Sequence, residues 1–513
     1  MTSVLPEKFK EYLQEAIGSD NANVVISAIL SGEPELSVRI NPRKWARDGI
    51  VDSHLSKSLS GNQVPWCKEG LYLSERPVFT LDPALHAGAY YVQEPSSKIL
   101  SLLEPFLREL SASKSVQQFS PAAGTPSGTI KLLDLCAAPG GKSTHLASIT
   151  PKGSKLTVNE VIRTRVGVLR ENIIKWGYPD IDVTSLDAAE FPRRGYFFDF
   201  ILVDAPCSGE GMFRKDPDAL LAWSEEAVKL SASRQRRILS DIWDSLSPGG
   251  LLAYSTCPMN RYEDENNIEW LIDNFKAVPV DLFGDSHFNK KQGNITDNFQ
   301  NNQPTRFSKE DAEKSGIIFS DKYSLRLLPG FVKGEGLFFS LLHKPEDKET
   351  DKQLSGSSKH DAFPQNISGA YNQKQKSRKA PKSLSQKYSQ IDNSKVPSKH
   401  IIHSEISSES LTKKNQRSFE TSFVTKKQKE TVFSEVPDHN YALSLDYAGE
   451  WPSVELSKEE ALIYLSRGTI KFTDQPLGYI RVTYGGLGLG FVKNLGTRAN
   501  NLLPMNHRIR MQF

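Results

Sequence analysis

Between residues 130 and 254 short apolar runs alternate with longer stretches of helical spacing. The apolar runs are IKLLDL at 130–135, LTV at 156–158, IDVTSL at 181–186, FDFILV at 198–203 and GLLAY at 250–254. Residues 161–175 and 225–245 between them carry the helical period. Strands separated by helices of this length need right-handed crossovers, which predicts an α/β, doubly wound, parallel sheet. SLRLLP at 324–329 and GLFFSLL at 336–342 are joined by a short glycine-containing turn and are predicted as the antiparallel edge of that sheet.

Residues 1–110 alternate short helical and extended pieces, such as VRINP at 38–42 and GLYL at 70–73, and read as a small α/β domain. SASKSVQQFSPAAGTPSGT at 111–129 lacks apolar periodicity and is predicted as a loop leading into the main domain at 130–343. From 344 to 436 the chain is rich in Ser, Lys, Gln and Asn, as in KQKSRKAPKSLSQKYSQ, which predicts a disordered basic linker. Apolar and aromatic positions become dense again at 437–513, where glycine turns (TYGGLGLGFVKNLG) punctuate strand-like runs of a compact module.

A length of 513 residues agrees with this division, since one core rarely supports so long a chain. Hydrophobic residues at 38% and charged residues at 24% are ordinary, and no apolar run approaches the length of a membrane span. The start, MTSVLPEKFKEYLQEAIG, has no apolar signal core and carries acids that a transit peptide avoids, so a cytoplasmic protein is expected. Four cysteines without zinc-ligand spacing predict free thiols in a reducing compartment and no metal. The net charge of +3, from 64 Lys+Arg against 61 Asp+Glu, does not by itself reveal a nucleic-acid partner.

Three motifs carry candidate chemistry. LDLCAAPGGKSTHLA at 133–147 is a strand, a glycine turn and a helix start, where backbone can approach a nucleotide-like ligand. It lacks both GxGxxG and GxxxxGK[ST] spacing, which points to an adenosine-like ligand without a polyphosphate, although two glycines alone also fit a plain turn. Glu160, Asp187 and Asp204 follow successive strands, on the side where an open sheet keeps its ligand crevice; any one of them alone is better explained as a turn or capping acid, and the three together favour a crevice. DAPCSGEGMFRKDP at 204–217 and YSTCPMNRYEDE at 254–265 then place Cys207 and Cys257 just past two buried strands, aimed at one cleft. Cys67, and Cys136 taken alone, read as inert buried thiols.

Residues 134–147, 204–217 and 254–265 closely resemble the Nol/Nop/Sun family of RNA cytosine-C5 methyltransferases, including its cysteines in DAPCSG and STC contexts. HAGAYYVQEPSS at 86–97 and SVRINP at 37–42 resemble the family's N-terminal signatures, so the likeness runs from about residue 5 to 343. DAPCSGEGMFRKD, followed by GYIRVTYGGLGLGFVKN, looks like the bacterial subgroup that methylates 16S ribosomal RNA and ends in a PUA-like RNA-binding domain. The resemblance implies a Rossmann-like methyltransferase sheet and S-adenosylmethionine as cofactor. Cys136, Ala137, Ala138, Pro139, Gly140, Gly141 and Lys142 would wrap its methionine part, Glu160 hold the ribose, and Asp187 lie near the adenine. Asp204 would sit between cofactor and target base, with Cys257 as nucleophile and Cys207 needed for product release. LLPGF at 327–331 departs from the pattern, as family members often have His after the Pro. The linker at 344–436 and a polar insert at 285–318 exceed the compact pattern and add no evident chemistry.

Arg214, Lys215, Arg234, Arg236 and Arg237 are candidate phosphate contacts, with a solvated helix face an equal alternative for the last three. Tyr479, Arg481, Lys493, Arg498, His507 and Arg508 are candidate RNA contacts in the C-terminal module. The partner expected is RNA, met by a monomer, and truncation before residue 437 is expected to weaken binding to structured RNA more than chemistry on a short oligonucleotide. A transfer-RNA methyltransferase, a non-catalytic ribosome-assembly factor and a DNA cytosine methyltransferase are the competing readings.

Overall fold

The computed structural model describes residues 5–45, 62–117, 128–284, 307–320, 323–346, 436–472 and 474–512. The predicted linker lies almost entirely outside them, as do residues 285–306 of the insert. The chain starts with two helices, α1 (Glu7–Ile17) and α2 (Ser19–Ser31). A four-stranded antiparallel sheet follows, built from β1 (Ser37–Ile40), β2 (Gln63–Val64), β3 (Cys67–Tyr72) and β4 (Tyr90–Val92) in the order β2-β3-β1-β4. The loop expected at 111–129 is partly helical: α3 (Glu104–Gln117) runs through its first half, because Phe106, Leu107 and Leu110 continue an apolar stripe that is buried in the core.

The central sheet is the doubly wound one that the patterning predicts. Strands β5 (Lys131–Asp134), β6 (Lys155–Asn159), β7 (Ile181–Thr184), β8 (Phe198–Asp204) and β9 (Leu246–Thr256) run parallel in the order β7-β6-β5-β8-β9. Their crossovers include α4 (Gly141–Ile149), α5 (Arg163–Trp176) and α6 (Glu225–Trp243). β10 (Val278–Pro279), β11 (Ile318–Phe319), β12 (Ser324–Leu327) and β13 (Leu337–His343) add the antiparallel side, with β13 pairing β9, β10 and β12. Part of the apparent insert is therefore structural, since Ile318 and Phe319 form an edge strand on β12.

Side chains of β8 alternate between the two faces of the sheet, as a period of two requires. Phe200 and Leu202 join one core cluster with Leu132, Leu146 and Leu169, and Ile201 and Val203 join the other with Leu239 and Ile242 of α6. Strand order reverses at β5, whose neighbours are β6 and β8, so the crevice beyond the carboxyl ends of β5 and β8 is where such a sheet places its ligand.

The C-terminal module is a four-stranded sheet of β14 (Ser453–Glu455), β15 (Gly478–Tyr484), β16 (Leu487–Asn494) and β17 (Ala499–Asn501), with helix α7 (Lys458–Leu465) started by a Ser457/Glu460 capping box. It shares a core with the N-terminal sheet: Val38, Ala84, Ala87, Ala89 and Tyr90 cluster with Ala461, Leu465, Ile480 and Leu489. Helices α1 and α2 pack elsewhere. Phe9, Tyr12, Leu13 and Val25 cluster with Phe213, Trp223 and Met259, residues in or close to the two cysteine motifs.

Candidate active site

β8 and β9 are neighbours in the sheet and end together, with Asp204 opposite Ser255. Each strand is followed at once by a turn carrying a cysteine, so the sheet register alone brings Cys207 and Cys257 together. Their sulfurs lie 3.0 Å apart, both half-buried and both free thiols. The hydrogen bond with Cys257 and burial push the Cys207 thiol well above its ordinary range. Gly211 allows the two turns to meet: a Cβ there would come within 2.9 Å of Cys257 Cβ and 3.0 Å of its carbonyl oxygen.

Asp204 stands between this pair and the glycine turn. Its Oδ2 accepts a hydrogen bond from Lys142 Nζ at 2.8 Å, and its Oδ1 accepts one from Ser255 Oγ at 2.8 Å. Burial would lower the Lys142 ammonium, but the paired Asp204 carboxylate outweighs it and holds the group above its usual range. The expected cofactor turn is Cys136 to Lys142 between β5 and α4. Gly140 there has φ +113°, a conformation that favours glycine, and a Cβ on Gly141 would meet the Tyr91 ring at 3.3 Å. Ser143 Oγ donates to Asp134 Oδ2 at 2.6 Å, Arg165 donates to the Ala138 carbonyl at 2.6 Å, and Asn172 donates to the Pro139 carbonyl at 2.8 Å. Cys136 has its thiol pushed up by burial, as an unreactive group would be.

Glu160 is buried at the end of β6, where it accepts from the Ile162 amide at 2.8 Å and pairs with Arg165 at 3.2 Å. Asp187 lies beyond β7 and is partly exposed, 3.5 Å from Arg237. Sequence reasoning missed Asn159 and Asp134. The Asn159 amide donates to the carbonyls of Leu135 and Leu186 while its oxygen accepts from Leu186 N and Thr184 Oγ1, so one buried side chain ties three strand ends together. Asp134 is fully buried, its Oδ1 has no hydrogen-bond partner, and burial raises its carboxyl to about 7. An amide or acid at a strand end was the available signal, but that signal is common to ordinary turns.

Three family profiles match the chain. They are described as 16S rRNA methyltransferase RsmB/F over residues 124–343, the N-terminal domain of 16S rRNA methyltransferase RsmF over 5–95, and the methyltransferase RsmF PUA domain over 452–509. A ribosomal RNA small subunit methyltransferase F from Aliivibrio salmonicida is 30% identical over 359 residues, which are 68% of this chain and 71% of that relative. The chain belongs to the RsmB/F methyltransferase family. The family relative from Cronobacter sakazakii is 33% identical over 285 residues, 54% of this chain, and the match spans 55% of that relative's length. A solved methyltransferase homolog from Pyrococcus horikoshii has 24% identity and a TM-score of 0.46, covering 66% of this chain and 95% of that one.

Within this RsmB/F chain several expected RNA contacts are otherwise engaged. Arg214 forms a buried ion pair with Glu335 at 2.8 Å and donates to the carbonyls of Gly334 and Glu33, so it is a structural bolt instead of a phosphate contact. Arg236 donates to Asn267, and Arg237 pairs with Asp187 and Asp241. Arg481 donates twice to the Ala442 carbonyl and stacks over Tyr447 at 4.1 Å. Lys215, Arg234, Arg498 and Arg508 are exposed, as is Lys493, which lies 5.2 Å over the Tyr479 ring. His507 packs edge-on against buried His439 at 4.9 Å. In the LLPGF loop, Gly330 (φ +90°) faces α2, where a Cβ would meet Val24 at 2.9 Å, so the segment serves packing. Among the described residues no group of three or more His, Cys, Asp or Glu side chains is arranged to hold a metal ion, and no helix is long and apolar enough to cross a membrane.

Proposed function

We propose that this chain is an S-adenosylmethionine-dependent methyltransferase acting on C5 of a cytosine in RNA, with small-subunit 16S ribosomal RNA as its substrate, and that it works as a cytoplasmic monomer. The observation that carries the proposal is the pair of thiols 3.0 Å apart beside Asp204, at the carboxyl edge of a doubly wound sheet. Membership of the RsmB/F family supports the substrate class.

The residues fit the implied cofactor. Asp134, Glu160, Asp187 and Asp204 line successive strand ends, and the unpartnered Oδ1 of Asp134 is an unspent acceptor beside the glycine turn, both suited to a cationic ligand with ribose hydroxyls. Residues Cys136 to Lys142 would hold its methionine part, Glu160 its ribose, and Asp187 would lie near its adenine. When bound, S-adenosylmethionine supplies an electrophilic methyl group on a sulfonium.

Cytosine C5 is too weakly nucleophilic to accept that group unaided. Addition of the Cys257 thiolate to C6 places electron density on C5, and a thiolate is suited to that step. The STC context of Cys257 resembles that of the family nucleophile, and Cys207, 3.0 Å from it, is the cysteine assigned to product release. Asp204, fixed from both sides by Lys142 and Ser255, would stabilise the altered ring at N3. Loss of the C5 proton and elimination of Cys257 restore the ring, with Cys207 assisting as, or through, a base. The base must leave its stack to reach this cleft, so single-stranded or splayed RNA is the expected form.

A Cys207→Ala variant is expected to accumulate a covalent RNA adduct on denaturing gels, and Cys257→Ala to form none; the reverse pattern would overturn the roles. Mapping 5-methylcytosine in ribosomal and transfer RNA from cells with and without the gene is expected to show one small-subunit site lost. Loss of a transfer-RNA site instead would keep the chemistry and change the substrate.

A further inference from the structure

Glu210 follows Cys207 by three positions and Glu263 follows Cys257 by six. Both side chains are sealed from solvent, at 1% and 0% exposure. A buried carboxylate is costly unless its oxygens receive donors, and here all the donors but Trp223 come from a cysteine turn or from Gln235, which grips one. Glu263 Oε2 accepts from Ser208 N at 3.0 Å and from Gln235 Nε2 at 2.8 Å, and the same Gln235 nitrogen donates to the Pro206 carbonyl at 3.1 Å. The backbone on both sides of Cys207 is thus held by one Gln–Glu unit. On the other turn, Glu210 Oε2 accepts from Met259 N at 2.6 Å, and its Oε1 accepts from Trp223 Nε1 at 2.9 Å. Asn260 joins the two halves, its Nδ2 donating to Glu210 Oε1 at 2.8 Å and to Glu263 Oε1 at 3.2 Å.

Each carboxylate therefore reaches across: Glu210, on the Cys207 turn, holds the backbone after Cys257, and Glu263, after Cys257, holds the backbone around Cys207. We infer that Glu210 and Glu263, linked through Asn260, are positioning residues that lock the two cysteine turns together and so set the gap between the thiols. The catalytic meaning of this lock rests on the methyltransferase reading above; its geometry does not. Neither acid reaches the cleft, so neither acts on the base directly. Burial, and then the neighbouring Glu210 charge, raise Glu263 to about 7.

The test reads the thiol gap without using methyl transfer. Phenylarsine oxide condenses with two thiols that lie close together, forming two As–S bonds and releasing water, and capture by the wild-type protein should disappear in Cys207→Ala. Glu263→Met keeps the side-chain length and removes the acceptor, and it is expected to weaken arsenical affinity on the order of tenfold, as loss of an outer-shell partner does. Glu263→Gln, which retains an oxygen for Ser208 N–H, should recover part of the loss. Gln235→Met cuts the same lock from the helix side and decides the matter if Glu263→Met does not fold. On RNA these variants should lower kcat and leave KM unchanged. Wild-type arsenical affinity in the folded variants would overturn the inference, whatever their effect on activity. Weakened capture in a protein whose Cys207→Ala variant traps no RNA adduct would uphold the lock and remove the cysteine-adduct reading on which its catalytic meaning rests.

Discussion

Asp134 shows at the scale of one residue how the site departs from what stability alone would select. Its carboxyl is fully buried with one oxygen unpartnered, and burial raises it to about 7 against the opposing pull of Ser143. A carboxyl raised in the fold binds its proton more tightly folded than unfolded. Between the ordinary aspartate range and about 7 the fold therefore loses stability as pH rises. Asp134→Asn removes that slope: the melting temperatures of variant and wild type should converge near pH 4, with the variant progressively the more stable as pH rises to about 7 and the gap constant above that. Parallel melting curves across that range would show that Asp134 stays ionised in the fold. This residue was invisible in the sequence, because LDLC reads only as a strand end. Cys207 and Cys257 were legible because each directly follows an apolar run, and parallel strands that end together bring such residues together. Glu210 and Glu263 look like turn acids in one dimension, and their exchange between the two turns exists only in three.

Among elements, the patterning located the parallel strands to within a few residues and misjudged what the flanking pieces do. SVRINP reads as a signature of a separate N-terminal domain, yet its side chains end inside the methyltransferase sheet's helices. Arg39 is buried, donates to Thr144 Oγ1 at 2.6 Å and to the Gly141 carbonyl at 3.3 Å, and lies 4.4 Å over Trp176 at the end of α5. Asn41 donates to the carbonyls of Gly88 and Trp176, both at 3.0 Å, closing the exposed end of α5. The N-terminal sheet thus braces the two helices that flank the glycine turn. Arg39→Met leaves Thr144 Oγ1 and Gln93 Oε1 without the Arg39 donor and removes one of two side-chain donors from the Gly141 carbonyl. A stability loss of about 2–3 kcal/mol is expected for such bonds from a charged group. Calorimetry with S-adenosylhomocysteine should show weaker binding at a temperature where the variant is fully folded. Unchanged affinity would confine the N-terminal sheet to RNA contact. Nothing in the local sequence reveals this, since an Arg in a strand is ordinarily a surface residue.

Across the whole molecule, the C-terminal module is built into the body of the protein. Val38, Ala84, Ala87, Ala89 and Tyr90 are each at most 2% exposed and form one core with the apolar residues of α7, β15 and β16. The Leu445 amide also donates to the Gly177 carbonyl at 2.8 Å, fastening the module to the end of α5. The sequence alone suggests a detachable RNA clamp, because a long polar stretch separates residues 437–513 from the rest and chain distance conceals a shared core. Deleting 437–513 would uncover that apolar face, and exposed patches of this kind promote association. The expected result is a lower melting temperature, self-association in gel filtration, and loss of chemistry on short oligonucleotides together with loss of structured-RNA binding. A truncated protein that stays monomeric and methylates a short oligonucleotide at the wild-type rate would restore the clamp. The contribution of the RNA-facing surface is separable by reversing exposed charge, because Lys493→Glu with Arg498→Glu leaves the shared core intact. That pair should reduce RNA affinity and flatten its salt dependence by about 0.7–0.9 in log–log slope for each phosphate no longer neutralised, with no change in melting temperature.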